Sequence, residues 1–160
     1  MALALQSGNL VKQKVKLALS GGVGVNTVAE KAFEALFDVL ANQYGNPDLQ
    51  FFTFSEVQAD VAGGTVIIDA ACKVYGVYVK KEANATDNWF WLINDATNDG
   101  TDADHMISLA LLEASKNAFA IYPSGIPFDT GGVVTQYATD PIGKSDGSNG
   151  GDGFIVVGAA

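Results

Sequence analysis

Between Thr65 and Ala160 the chain runs as a succession of short apolar segments, each closed by a cluster of Gly, Asp, Asn or Ser. Such segments have the length and alternation of strands, and turns at such close intervals join strands antiparallel. In the first of them Val66, Ile68, Ala70, Cys72 and Val74 share one face, with Asp69, Lys73 and Tyr75 on the other. At Gly76 the phase flips, because Val77 and Val79 become the apolar set, and a glycine at a phase change predicts a bulge or sharp bend. This strand is expected to span two parts of a sandwich. Trp89-Phe90-Trp91-Leu92-Ile93 is apolar on both faces, which implies burial on both sides. One face enters the core, and the other needs cover from a helix or a neighbouring subunit, since a monomer rarely exposes so large a patch. Further strands are predicted at Met106 to Leu112, Ala118 to Tyr122, Val133 to Tyr137 and Phe154 to Val157. Gly143 to Gly153 is too poor in side chains to pack and reads as a loop before the last strand.

The first part of the chain has a different texture. Residues 1–10 read as an extended arm, 11–64 as a strand plus a helix, and 65–160 as the sandwich, together one domain. From Val11 to Leu19 the side chains Val11, Gln13, Val15, Leu17 and Leu19 alternate with Lys12, Lys14 and Lys16, the period of a half-buried strand. Three lysines on one face can blunt a sheet edge or dock an acidic partner. Thr27 followed by Glu30 has capping-box spacing, and Ala29, Phe33, Leu36, Phe37, Leu40 and Tyr44 recur with helical period until Gly45 and Pro47. A helix is therefore predicted from Val28 to Tyr44. Its large apolar side chains pack on the protein's own sheet or, as a secondary role for Phe33 and Phe37, on a neighbouring subunit. Phe51, Phe52 and Phe54 form either a strand or a packed loop. The predicted fold class is thus mainly β, an antiparallel β-sandwich of jelly-roll-like type with one N-terminal amphipathic helix.

Composition narrows what such a chain can do. At 160 residues it buries roughly 70% of the surface its unfolded chain exposes, so a core forms without staples. Lone Cys72 lies within an apolar alternation and reads as a buried free thiol in a reducing compartment. Nine basic side chains, all Lys, against eighteen acidic ones give a formal charge of -9, which repels phosphate backbones and anionic lipid heads alike. No stretch has the ~18 apolar residues of a membrane span, and MALALQSGNL lacks the basic region of a signal peptide. No nucleic acid and no membrane are expected as partners.

The side chains that could carry chemistry do not assemble into a known pattern. Asp95, Asp99, Asp102 and Asp104 crowd one segment, and Asp99-Gly100 falls where an EF-hand places its fifth ligand and glycine. Counted from Asp95, however, the third position is Thr97 and the twelfth Met106, so this reads as an acidic turn, with a Ca²⁺ loop of other geometry as the alternative. His105 has no second His or Cys near it in sequence, and Ser124 lacks a nucleophile elbow. Ser20-Gly21-Gly22-Val23-Gly24-Val25-Asn26 has neither phosphate-binding signature and reads as a link. Asn84-Ala85-Thr86 reads as a turn. No catalytic residue, metal ligand or cofactor is predicted, and the chain is expected not to be an enzyme.

The stretches GVYVKKEANATDNWFWLINDAT (Gly76 to Thr97) and AFAIYPSGIPFDTGGVVTQYATDP (Ala118 to Pro141), closing with GGDGFIVVGAA, resemble small virion structural proteins of tailed bacteriophages, above all capsid decoration or cement proteins and related head-fibre or tail-associated β-sandwich proteins. The resemblance runs from about Thr65 to Ala160 and leaves the helix outside it. It implies a non-enzymatic homotrimer that binds the major capsid protein on the outer surface of the capsid lattice and stabilises it. The protein would be synthesised in the host bacterial cytoplasm and end in the virion.

On that expectation Lys12, Lys14 and Lys16, with the arm, would contact the capsid, while Trp89, Trp91, Ile93, Phe33 and Phe37 would support the oligomer. Symmetry would then multiply weak contacts into firm attachment. The alternative is a receptor- or glycan-binding module of a head fibre or tail, in which Trp89 or Trp91 and Tyr122 would stack on sugars.

Overall fold

The computed structural model describes residues 6–21, 27–45, 47–54, 65–81, 88–94, 106–112, 116–129, 133–138 and 151–160. Along the chain these form β1 (Gln6–Ser7), α1 (Gly8–Gly21), α2 (Thr27–Tyr44), β2 (Asp48–Phe54), β3 (Thr65–Ile68), β4 (Cys72–Lys81), β5 (Asn88–Asn94), β6 (Met106–Leu112), β7 (Asn117–Phe128), β8 (Val133–Ala138) and β9 (Gly151–Ala159). The architecture is mainly antiparallel β with two helices. One sheet has the order β1-β2-β9-β4-β7, the other β3-β8-β5-β6.

The helical half corrects the sequence reading. Residues 11–19 are not a strand but the middle of α1, because Val11, Val15 and Leu19 stand four apart on one helical face and are all but fully buried. Of the arm expected at residues 1–10, Gln6 and Ser7 pair in β1 and Gly8 opens α1, while residues 1–5 lie outside the described residues. Two helices therefore replace the single one predicted.

The second helix follows expectation. Thr27 opens α2, Glu30 lies in its first turn, and Ala29, Phe33, Leu36, Phe37 and Leu40 are buried. Tyr44 departs from that stripe and is 53% exposed. The helix stops where Gly45 takes φ of 64° and its N–H donates to the Ala41 carbonyl at 3.0 Å, a left-handed cap that glycine adopts without a Cβ penalty.

Both helices cover one face of the five-stranded sheet. Their buried residues share a core with Leu49 of β2, Tyr75 and Tyr78 of β4, and Phe154 and Val156 of β9. Phe33 anchors this layer, its ring 5.1 Å from that of Phe154 and 6.5 Å from that of Phe119. Full burial of each such Leu or Phe contributes roughly 1.5–3 kcal/mol.

The opposite face carries Phe54, Cys72, Val74, Val77, Val79, Phe128, Ile155 and Val157, which form a second core with Ile68, Phe90 and Leu92 of the four-stranded sheet. Phe54 and Phe90 stack across this core with ring centroids 5.9 Å apart. Buried on both faces, β9 reads as the unbroken apolar run Phe154-Ile155-Val156-Val157.

The phase change at Gly76 is a bulge. Register shifts between Val74 and Gly76 against both β7 and β9, so Tyr75 is the extra residue and Val74 and Val77 face the same core on either side of it. The strand predicted as continuous from Thr65 is divided: β3 belongs to the four-stranded sheet, β4 to the five-stranded one, and the chain changes sheets at residues 69–71. Opposite Tyr75, β7 makes an excursion, because Ile121 pairs with Gly76 and Ile126 with Val74, leaving Tyr122-Pro123-Ser124-Gly125 against one residue. Gly125 turns it back with φ of 72° and packs on the Tyr75 ring.

Candidate partner-binding surface

The α1/α2 hairpin is one outer layer of the described structure, and its surface chemistry follows from helical spacing. Lys12 and Lys16 stand one turn apart on α1, as do Glu34 and Asp38 on α2. With the helices antiparallel, Lys12 Nζ reaches Asp38 Oδ1 at 3.3 Å and Lys16 Nζ reaches Glu34 Oε1 at 3.0 Å. The hydrogen bond to Glu34, then that carboxylate's charge, raises the Lys16 pKa above its ordinary value. The shallow groove beneath these pairs has Val15, Leu19, Phe33 and Phe37 as its floor and a free volume of about 10 Å³. That is room for a water, not for a ligand.

The lysine stripe expected on one strand face is thus dispersed by the helix. Lys12 and Lys16 bridge to α2, whereas Lys14 points elsewhere and donates to Gln6 Oε1 at 2.6 Å, tying α1 to β1. Phe33 and Phe37, the candidates for a subunit interface on α2, are buried within the chain against its own sheet. Trp89, Trp91 and Ile93 lie on β5 between β8 and β6, as a strand-forming stretch should, but their side chains are outside the described residues. The cover expected from a helix over that strand is not what the described helices provide, since they pack on the five-stranded sheet.

What sequence reasoning missed on this layer is its exposed apolar side chains. Leu17 is 72% exposed, Val28 66% and Leu10 43%. The signal was present: once residues 8–21 are drawn as a helix, Leu10 and Leu17 fall seven apart and off the Val11-Val15-Leu19 stripe.

Other candidates take inert positions. Cys72 is fully buried, and burial pushes its thiol up to about 11. Burial also raises the Tyr75, Tyr78 and Tyr122 hydroxyls above their ordinary value. Tyr122 is half-buried, and Ser124 is exposed in the β7 excursion. Asn94 at the end of β5 donates to Asp129 Oδ1 at 3.0 Å, linking the two sheets. The Tyr78 hydroxyl and Gln50 Oε1 are buried without a hydrogen-bond partner among the described residues.

Asp95, Asp99, Asp102, Asp104, His105, the turn at 84–86, the link at 22–26 and loop residues 143–150 lie outside the described residues. Among the described residues no three His, Cys, Asp or Glu side chains gather, and no helix is long and apolar enough to cross a membrane. Comparison with protein-family models, curated proteins and solved structures gives no match.

Proposed function

We propose that this chain is a non-enzymatic capsid decoration protein of a tailed bacteriophage, which docks on the outer surface of the capsid lattice and clamps neighbouring copies of the major capsid protein. In this reading the two sheets are the layers of a jelly-roll-like β-sandwich, and three copies assemble about a symmetry point of the lattice. The observation that carries the reading is the exposure of Leu17 and Val28 on a helix hairpin backed by a sheet buried on both faces. Apolar groups held on a stiff platform lose little entropy on docking, and repetition by symmetry multiplies weak contacts. Lys12 and Lys16 lie on the same hairpin, and their bridges to α2 are exposed enough to exchange for acidic groups of a lattice. The sequence resemblance from Thr65 to Ala160 supports the same assignment.

The test is a titration of purified protein onto undecorated capsids of the phage that encodes it. Saturable binding with a rise in capsid disruption temperature, weakened by Leu17→Asp or Val28→Asp, is the expected result. Absence of binding by the folded protein refutes the proposal.

A further inference from the structure

A second stripe runs along α1 on the side away from the sheet. Val11, Val15 and Leu19 take the buried face, which leaves Leu10, Gln13, Lys14 and Leu17 at the i, i+3, i+4, i+7 spacing of one outward strip. Leu10, Gln13 and Leu17 are exposed and Lys14 is half-buried. The two leucines stand seven residues apart, about 10 Å along the helix axis, with Lys14 between them.

The lysines of this helix are not equivalent. Lys12 and Lys16 already face Asp38 and Glu34, but Lys14 meets the neutral amide of Gln6, and among the described residues no carboxylate pairs with it. Its ammonium has three donors, of which Gln6 takes one. The helix α1 also contains no acidic side chain, although the chain carries a formal charge of -9. The strip is thus an apolar pair centred on a cation with donors to spare.

We propose, resting on the capsid-decoration reading, that this strip recognises one acidic segment of the major capsid protein: a carboxylate that pairs with Lys14, flanked by apolar side chains that cover Leu10 and Leu17. Charge selects this occupant. A second copy of α1 would bring lysine against lysine, and an anionic lipid surface would meet a chain of net charge -9. A carboxylate held between two apolar contacts is screened from water by them, so its pair with Lys14 gains more than an open surface bridge does.

Titration onto undecorated capsids at low and high salt separates the site from the reading it rests on. Lys14→Gln removes the charge and keeps a donor for Gln6, so the variant should fold like the unaltered chain by circular dichroism and bind capsids at least about tenfold more weakly. Its affinity should also fall less with added salt. Lys14→Arg keeps the charge and should bind as the unaltered chain does. Leu10→Ser should weaken binding, and Lys31→Gln, which takes the same charge from an exposed position of α2, should not. Capsid binding that Lys14→Gln and Leu10→Ser leave intact, or that Lys31→Gln weakens as much, overturns this site and leaves the decoration reading standing. No capsid binding by the unaltered chain overturns both. Binding to phosphatidylserine vesicles that Lys14→Gln weakens, or self-association that Leu10→Ser abolishes, would give the strip to a membrane or to a second copy and overturn the assignment.

Discussion

Substituting Gly76 with alanine should be costly in the natural chain and harmless once Phe33 is gone. A Cβ at residue 76 would lie 2.7 Å from Phe33 Cε1 and 3.3 Å from its Cζ, and the ring cannot retreat because it is lodged against Phe154 and Phe119. Overpacking of this kind costs about 1–3 kcal/mol. Phe33→Ala removes a side chain that is 1% exposed and should cost about 3–5 kcal/mol. With the ring absent, the nearest remaining neighbour of the new methyl is Ile121 Cδ1 at 3.4 Å, an ordinary contact. Alanine in a strand then recovers the roughly 0.5–1 kcal/mol that glycine forfeits. The double variant should therefore be no less stable than Phe33→Ala alone, giving a coupling of about 1.5–4 kcal/mol between sites that would otherwise add. Urea denaturation followed by circular dichroism on the four proteins measures it. Additive losses to within about 0.5 kcal/mol would refute the packing of α2 on β4 as described.

Gly153→Ala should destabilise more than Gly76→Ala, since its Cβ would drive into the Tyr78 carbonyl oxygen and to 2.5 Å from the Phe54 ring, and backbone cannot step aside; thermal melts of the two variants rank them. Charge reversal at Lys16 breaks an exposed bridge and should leave the urea midpoint nearly unchanged, so a clear drop in the midpoint would contradict the surface position of that pair. Alkaline pH should weaken the fold. The Cys72 thiol ionises near 9.0 when unfolded and about 11 when folded, so its contribution is complete below pH 9 and lost as pH rises to 11, roughly 3 kcal/mol in all. Cys72→Ala should flatten part of that decline, the raised tyrosines keeping the remainder.

The β half of the fold was legible because alternation and turn residues are local. Strand β6 was readable to its ends, and the bulge followed from one glycine at a phase change. The helix α1 was not, because Val11, Val15 and Leu19 satisfy a period of two and a period of four alike. Leu17 separates the two readings: a strand would bury it with them, and the helix leaves it 72% exposed. The change of sheets at residues 69–71 was hidden for a similar reason, since Ile68 and Cys72 face the same inter-sheet core and the alternation runs on unbroken. That β9 inserts between β2 and β4 depends on pairings far apart in sequence, which no local pattern records. The surface suffered most: the lysines looked like one face only while residues 11–19 looked like a strand.

The proposal that this chain is a capsid component is tested most directly by quantitative mass spectrometry of virions purified from the tailed phage to which that proposal assigns it. The account predicts the chain in the particle at a copy number that is a fixed fraction of the major capsid protein's, released together with capsid stability when it is stripped off. Its absence from intact, washed particles, with the protein left in the soluble lysate, would contradict the account.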